Sequence, residues 1–196
     1  MKHKLFLIIV LLFSFYNCFT QVNDTVSTAR LNNYLDRVLI VFYKCSLQDD
    51  EITKAIKTKS ANDIEAARIT LLQYANEGMQ KINAIEDFDG DPSLKFSCRE
   101  TLNFYKQLAE WDIPQLRDFF ILEENFLKIK KEFEKKPAKK YSQSEIYAYN
   151  SEVKKYNAAV TLYTQLSNFI NGSRKLTLYN WNASEKIFAD AHRPHL

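Results

Sequence analysis

Glycine and proline are nearly missing from this chain, with 3 and 4 among 196 residues. That is under a third of the roughly 12% that average usage gives. Turn-dense sandwiches and barrels need both residues at their strand junctions, so an all-β fold is excluded. Gly78, Gly90 and Gly172 each stand alone, and no GxGxxG, GxxxxGK or GxSxG can be written with them. Nucleotide-cradling loops and the hydrolase nucleophile elbow are excluded in their standard forms. Histidine is equally scarce, at His3, His192 and His195 only. A haem or paired-metal bundle needs His, or Glu-x-x-His, on facing helices. A Ser-His or Cys-His nucleophile pair needs one in the interior. The sequence therefore predicts no metal, no cofactor and no catalytic residue, and a protein that is not an enzyme. The tail pair His192 and His195 lacks a third ligand and defines no metal site.

What is present begins with an apolar run. Lys2 and Lys4 precede Leu5 to Phe15. This stretch is shorter than the ~18–20 residues of a spanning helix but suited to a secretory signal. The expectation is a signal peptide over residues 1–20, with no transmembrane span after processing. Two processing routes remain open. Cleavage between Thr20 and Gln21 gives soluble export, whereas lipidation of Cys18 gives a lipid anchor, although Asn17 before it is a poor lipobox residue. Removing residues 1–20 takes away two lysines and no acid, so the net charge falls from +3 to +1. A chain so nearly neutral has no electrostatic case for nucleic acid.

Helical period runs through the remainder, residues 21–196, which reads as a single domain. Leu31, Leu35, Val38, Phe42, Cys45, Ile52 and Ile56 form a first stripe over about residues 25–57, with Asp49 its one polar intruder. Ile64, Leu71, Tyr74, Gly78, Ile82 and Ile85 form a second, started by Asn62 or Asp63. The segment Glu86 to Ser93 punctuates the chain. Asp87, Asp89 and Asp91 alternate like calcium ligands, but Pro92 and Cys98 stand where an EF-hand needs Gly and Glu. A third helix carries Leu94, Cys98, Leu102 and Tyr105, and Pro114 kinks or restarts it. Phe119, Phe120, Phe126 and Phe133 extend its apolar face to a basic turn around Pro137. Ile146, Tyr149, Val153, Tyr156, Val160, Tyr163 and Ile170 form the cleanest heptad, which Asn171-Gly172 is expected to end. A last short helix follows, beginning at Asn182 and turning Phe188 inward. The predicted fold is all-α: an antiparallel four-helix-type bundle with a short C-terminal helix packed on it.

Phe88-x-Gly90-Asp91 before a helix, Phe104-Tyr105 within it, and Trp181 with Phe188 near the C-terminus carry a resemblance. The chain resembles a family of uncharacterised bacterial exported or surface-lipoprotein-like helical-bundle proteins. The resemblance implies an exported bundle without assigned catalytic residues.

Two further features bear on function. Cys45 and Cys98 fall on diagonal helices at heights about 20 Å apart, too far for a bridge, so two buried free thiols are expected. The Tyr149, Tyr156, Tyr163 stripe reads either as core or as the lining of a ligand groove, and Trp181 and Phe188 read as a plug or a lid. The functional expectation is a non-catalytic, exported binding or scaffold module of the bacterial cell envelope. It would reside in the periplasm, at the cell surface or outside the cell, with an envelope protein as partner. The alternative is a carrier of an apolar or aromatic small ligand within the bundle.

Overall fold

The computed structural model describes residues 2–137 and 140–193, with side chains described from Val26 onward. Cys18, Thr20 and Gln21, where lipidation or cleavage was expected, fall outside the described side chains, and His195 outside the described residues. Five α-helices follow in order: α1 (Lys2–Thr58), α2 (Ala61–Ala84), α3 (Ser93–Gln107), α4 (Ile113–Glu134) and α5 (Gln143–His192). A π-turn, Leu108–Asp112, joins α3 to α4 without a loop. The chain therefore forms four rods and an all-α, antiparallel four-helix-type bundle. Among the described residues the sole strand-like pairing is the isolated bridge Phe88–Asp91.

Each boundary has a local cause. Lys59 ends α1 in the left-handed region, and Ser60 then caps α2 by accepting the Asp63 backbone N–H. The cap expected at Asn62 or Asp63 thus falls at Ser60. Between α2 and α3, Asp89 and Gly90 both take positive φ, and the Asp91 N–H donates to the Phe88 carbonyl at 2.9 Å. This is the type I′ geometry that Asp-Gly favours. The Asp91 carboxylate accepts the Ser93 N–H at 2.8 Å and so starts α3.

Pro114 neither breaks the third rod nor leaves it regular. Proline has no N–H to donate and its ring collides with the carbonyl four residues back. The wider π-turn just before it absorbs that conflict, with the Ile113 N–H reaching back to the Leu108 carbonyl.

The core runs along α1, α2, α3, the start of α4 and the C-terminal half of α5. Gly78 is where α2 passes closest to its neighbours: a Cβ there would stand 3.0 Å from both Leu102 and Val41. Residues at the expected stripe positions fill the interior, including Leu31, Val38, Phe42, Cys45, Ile52, Ile64, Leu71, Ile82, Leu94, Cys98 and Leu102.

A second boundary also differs from the expectation. α5 does not end at Asn171-Gly172 but continues unbroken for 50 residues to His192. Gly172 costs a helix about 1 kcal/mol relative to Ala. Arg174, Trp181 and Phe188, all fixed against α1, outweigh that cost. The short C-terminal helix is therefore the last part of α5, packed on the bundle as expected but not separate from it.

Candidate functional site

Two regions of α5 carry what the sequence singled out, and the structure keeps them apart. In the first, α5 lies antiparallel on α1. Tyr34 stacks with Phe188 at 5.5 Å between centroids, Phe42 stacks on Trp181 at 4.4 Å, and Asp49 takes both Nε and a terminal nitrogen of Arg174. The spacing on both helices is seven or eight residues, as a continuous seam requires. Asp49, the polar intruder of the sequence, is buried, and burial pushes its carboxyl pKa up while Arg174 opposes the shift. Tyr105, bonded to Ser46 beside this pair, is also pushed up by burial. Toward the loop end, His192 brings its ring nitrogen 2.9 Å from Asp91 and packs edge-on against Phe88. That contact, with the Ser93 N–H, holds the Asp91 carboxyl below its usual range.

Trp181 and Phe188 are thus interior residues, exposed by 1% and 2%. Two buried polar atoms here, the indole Nε1 of Trp181 and the hydroxyl of Tyr34, make no hydrogen bond of ordinary geometry among the described residues. Burial raises the Tyr34 pKa to about 12, partly offset by the Phe88 backbone. Beside Trp181, an open groove of about 360 Å³ between α3 and α5 is lined by Ser97, Thr101, Thr177, Asn180 and Ser184.

The second region is an arm. Beyond Phe120 the outer halves of α4 and α5 leave the bundle as a two-helix hairpin. From Ile121 to Phe169 no described residue is buried. The tyrosine stripe faces α4 here. Phe119 stacks on Tyr163 at 4.2 Å, Phe126 on Tyr156 at 4.3 Å and Phe133 on Tyr149 at 3.9 Å. Tyr141 extends the ladder, stacking on Phe133 at 4.1 Å. Tyr156 also donates its hydroxyl to Glu123, which pairs in turn with Lys59. The tip is closed by a capping box at Ser142 and Glu145, with Lys136 on the same glutamate. Open grooves flank the ladder: about 590 Å³ at its root around Phe119, Leu122 and Phe169, and about 690 Å³ near the tip around Phe133 and Tyr149.

Asp87 pairs with Lys95 and Asp89 with Arg30, so two carboxylates of the acidic turn already hold a cation, while Asp91 is bonded to His192 and the Ser93 N–H. Among the described residues no group of three His, Cys, Asp or Glu could hold a metal ion. Cys45 and Cys98 are free and buried, and burial pushes both thiols up to about 12. Val41 and Leu102 meet at Gly78, and the cysteines lie one turn beyond and one turn before that level. They are unbonded, although near enough that Cys45 adds to the upward shift of Cys98. Sequence reasoning missed Arg174, whose signal was the need of Asp49 for a partner, and the two-thirds exposed Trp111 on the π-turn. Among the described residues no helix is long and apolar enough to cross a membrane. Set against models of protein families, curated proteins and solved structures, the chain matches none.

Proposed function

We propose that this chain is a non-catalytic scaffold or binding module of the bacterial cell envelope, exported by its N-terminal segment. The observation that carries the reading is the arm. A two-helix hairpin without a core contributes little to the stability of the bundle behind it, yet it is held straight by an aromatic ladder. It presents Leu127, Ile129 and Tyr147 to solvent. Grouped exposed apolar side chains on a stiff support are the features of a surface made for a partner.

The test is a photo-crosslinking amino acid at Tyr147 on the arm, compared in living cells with one at Ile69 on the side of the bundle. A discrete partner in the envelope fraction, joined through Tyr147 and not through Ile69, is expected. A chain that stays in the cytoplasm with Met1 intact, or an arm that joins nothing, overturns the reading.

The groove beside Trp181 favours a second reading, a carrier of an apolar or aromatic small ligand. Its polar lining and the unpartnered indole N–H are the features such a ligand would use. A set of hydrophobic probes that raises the melting temperature of the native chain, but not of Trp181→Ala, would support it. Equal shifts in both would remove it.

A further inference from the structure

The outer face of α5, bordering the groove it forms with α4, carries a second heptad seam. Ala158, Leu162, Gln165, Phe169, Gly172, Leu176, Tyr179 and Ala183 follow one another at alternating steps of four and three. Of these, Leu162, Phe169, Leu176 and Tyr179 are 61–71% exposed, as is Ile187 one turn further on. The surface is also stripped of charge. Tyr156 to Ser173 are 18 consecutive residues without Asp, Glu, Lys or Arg. Arg174 is turned inward onto Asp49, which leaves Lys175 as the one outward charge from Tyr156 to Ser184. Depletion of charge around exposed aromatic and aliphatic groups marks the centre of a protein interface.

We propose that this face is a self-association surface, on which a second copy of the chain lays its own α5 antiparallel. Three observations select that occupant. The first is Gly172, which the chain's own packing does not use, since a Cβ there would meet nothing within 4 Å. In an antiparallel pair centred between Ile170 and Asn171, Phe169 falls opposite Gly172 of the second copy. Leu162 then faces Tyr179, Gln165 faces Leu176, and Ala158 faces Ala183, so a phenyl ring of the seam meets its smallest residue. The second is the groove of about 590 Å³ at the root of the arm, lined by Phe119, Leu122, Leu162, Leu166 and Phe169. The same register delivers the second copy's Leu176 and Tyr179 to its edge. The third is area. Large apolar side chains present roughly 150–250 Å² each, so the four exposed ones of the seam uncover on the order of 500 Å² per chain. Two copies together reach ~1,000 Å², the least that a specific interface needs. This inference stands apart from the scaffold reading: it concerns the outer face of α5, whatever the arm engages.

Sedimentation equilibrium of the purified chain tests it, with circular dichroism and melting to confirm that each variant folds. A dimer is expected, weakened at least about tenfold by Phe169→Glu and by Leu176→Glu. Gly172→Leu separates packing from folding. It has open space within its own chain, so the melting temperature should hold or rise while the dimer weakens to a similar degree. Mixing Leu162→Cys chains with Tyr179→Cys chains under mild oxidation should give a mixed crosslink. A chain that remains monomeric at about 100 µM overturns the proposal. So does a dimer indifferent to these substitutions, a Leu162→Cys homodimer in place of the mixed crosslink, or a monomer that takes a foreign helix on this face.

Discussion

Asp49 and Arg174 show how much one residue can depend on a partner 125 positions away. Removing Arg174 alone strands a buried carboxylate, which costs about 3–5 kcal/mol. Arg174→Met should therefore lower the melting temperature by on the order of 10 °C in a chain of this size. The double variant Asp49→Leu/Arg174→Met should regain wild-type stability or exceed it, since apolar replacement of a buried pair is often neutral or better. Urea denaturation of the four forms gives the coupling. Trp181→Ala should cost ~3–5 kcal/mol, because it empties a stacked site against Phe42. The cysteines should resist thiol reagents in the native chain and both titrate after denaturation without reductant. A Cys45–Cys98 crosslinked peptide would contradict the free, buried thiols of the structure. At this scale the sequence disclosed that Asp49 was out of place but not what it answered to. The stripe shows that a position is buried, whereas the identity of its partner depends on how helices far apart in the chain are registered.

Among the elements, the α4–α5 hairpin and the continuity of α5 have opposite histories. The tyrosine stripe and the row Phe119, Phe126 and Phe133 both follow a seven-residue step. Two antiparallel helices with equal steps stay in phase, so each Phe finds a Tyr. That equality was visible in the sequence, although the pairing was not drawn from it. Each stack adds about 0.5–1.5 kcal/mol beyond its area. Tyr156→Ala removes the stack on Phe126 and the bond to Glu123 together. Hydrogen exchange should then quicken across residues 121–136 and 142–165 while the bundle amides keep their protection. Faster exchange in the bundle as well would mean that the arm and the bundle open together. The break expected at Gly172 failed for an energetic reason. A local preference of about 1 kcal/mol cannot end a helix that is fixed to a neighbour on the far side of the glycine.

For the whole molecule, the all-α class and the core were legible because the interior stripes keep helical period almost without interruption. The arm's departure from the bundle was not, since a half-covered ladder and a buried one have the same periodicity. Acid sensitivity also belongs to this scale. Glu65 is held down to about 2 by Arg68, and further by Arg117, which ties α2 to α4. A depressed carboxyl stabilises the folded state above its unfolded value near 4.5, and that contribution is lost as the pH falls towards 2. Melting temperature should therefore drop over this interval, and Glu65→Gln should flatten the drop. The 50-residue α5 has a mechanical consequence of its own. At 1.5 Å per residue it is a rod of about 75 Å, with roughly 47 Å on the arm side of Arg174 and 27 Å on the other. The shorter side is seated in the core through Trp181 and Phe188, so a sideways load at the tip reaches that seat as a torque, scaled by the ratio of the two lengths, about 1.7.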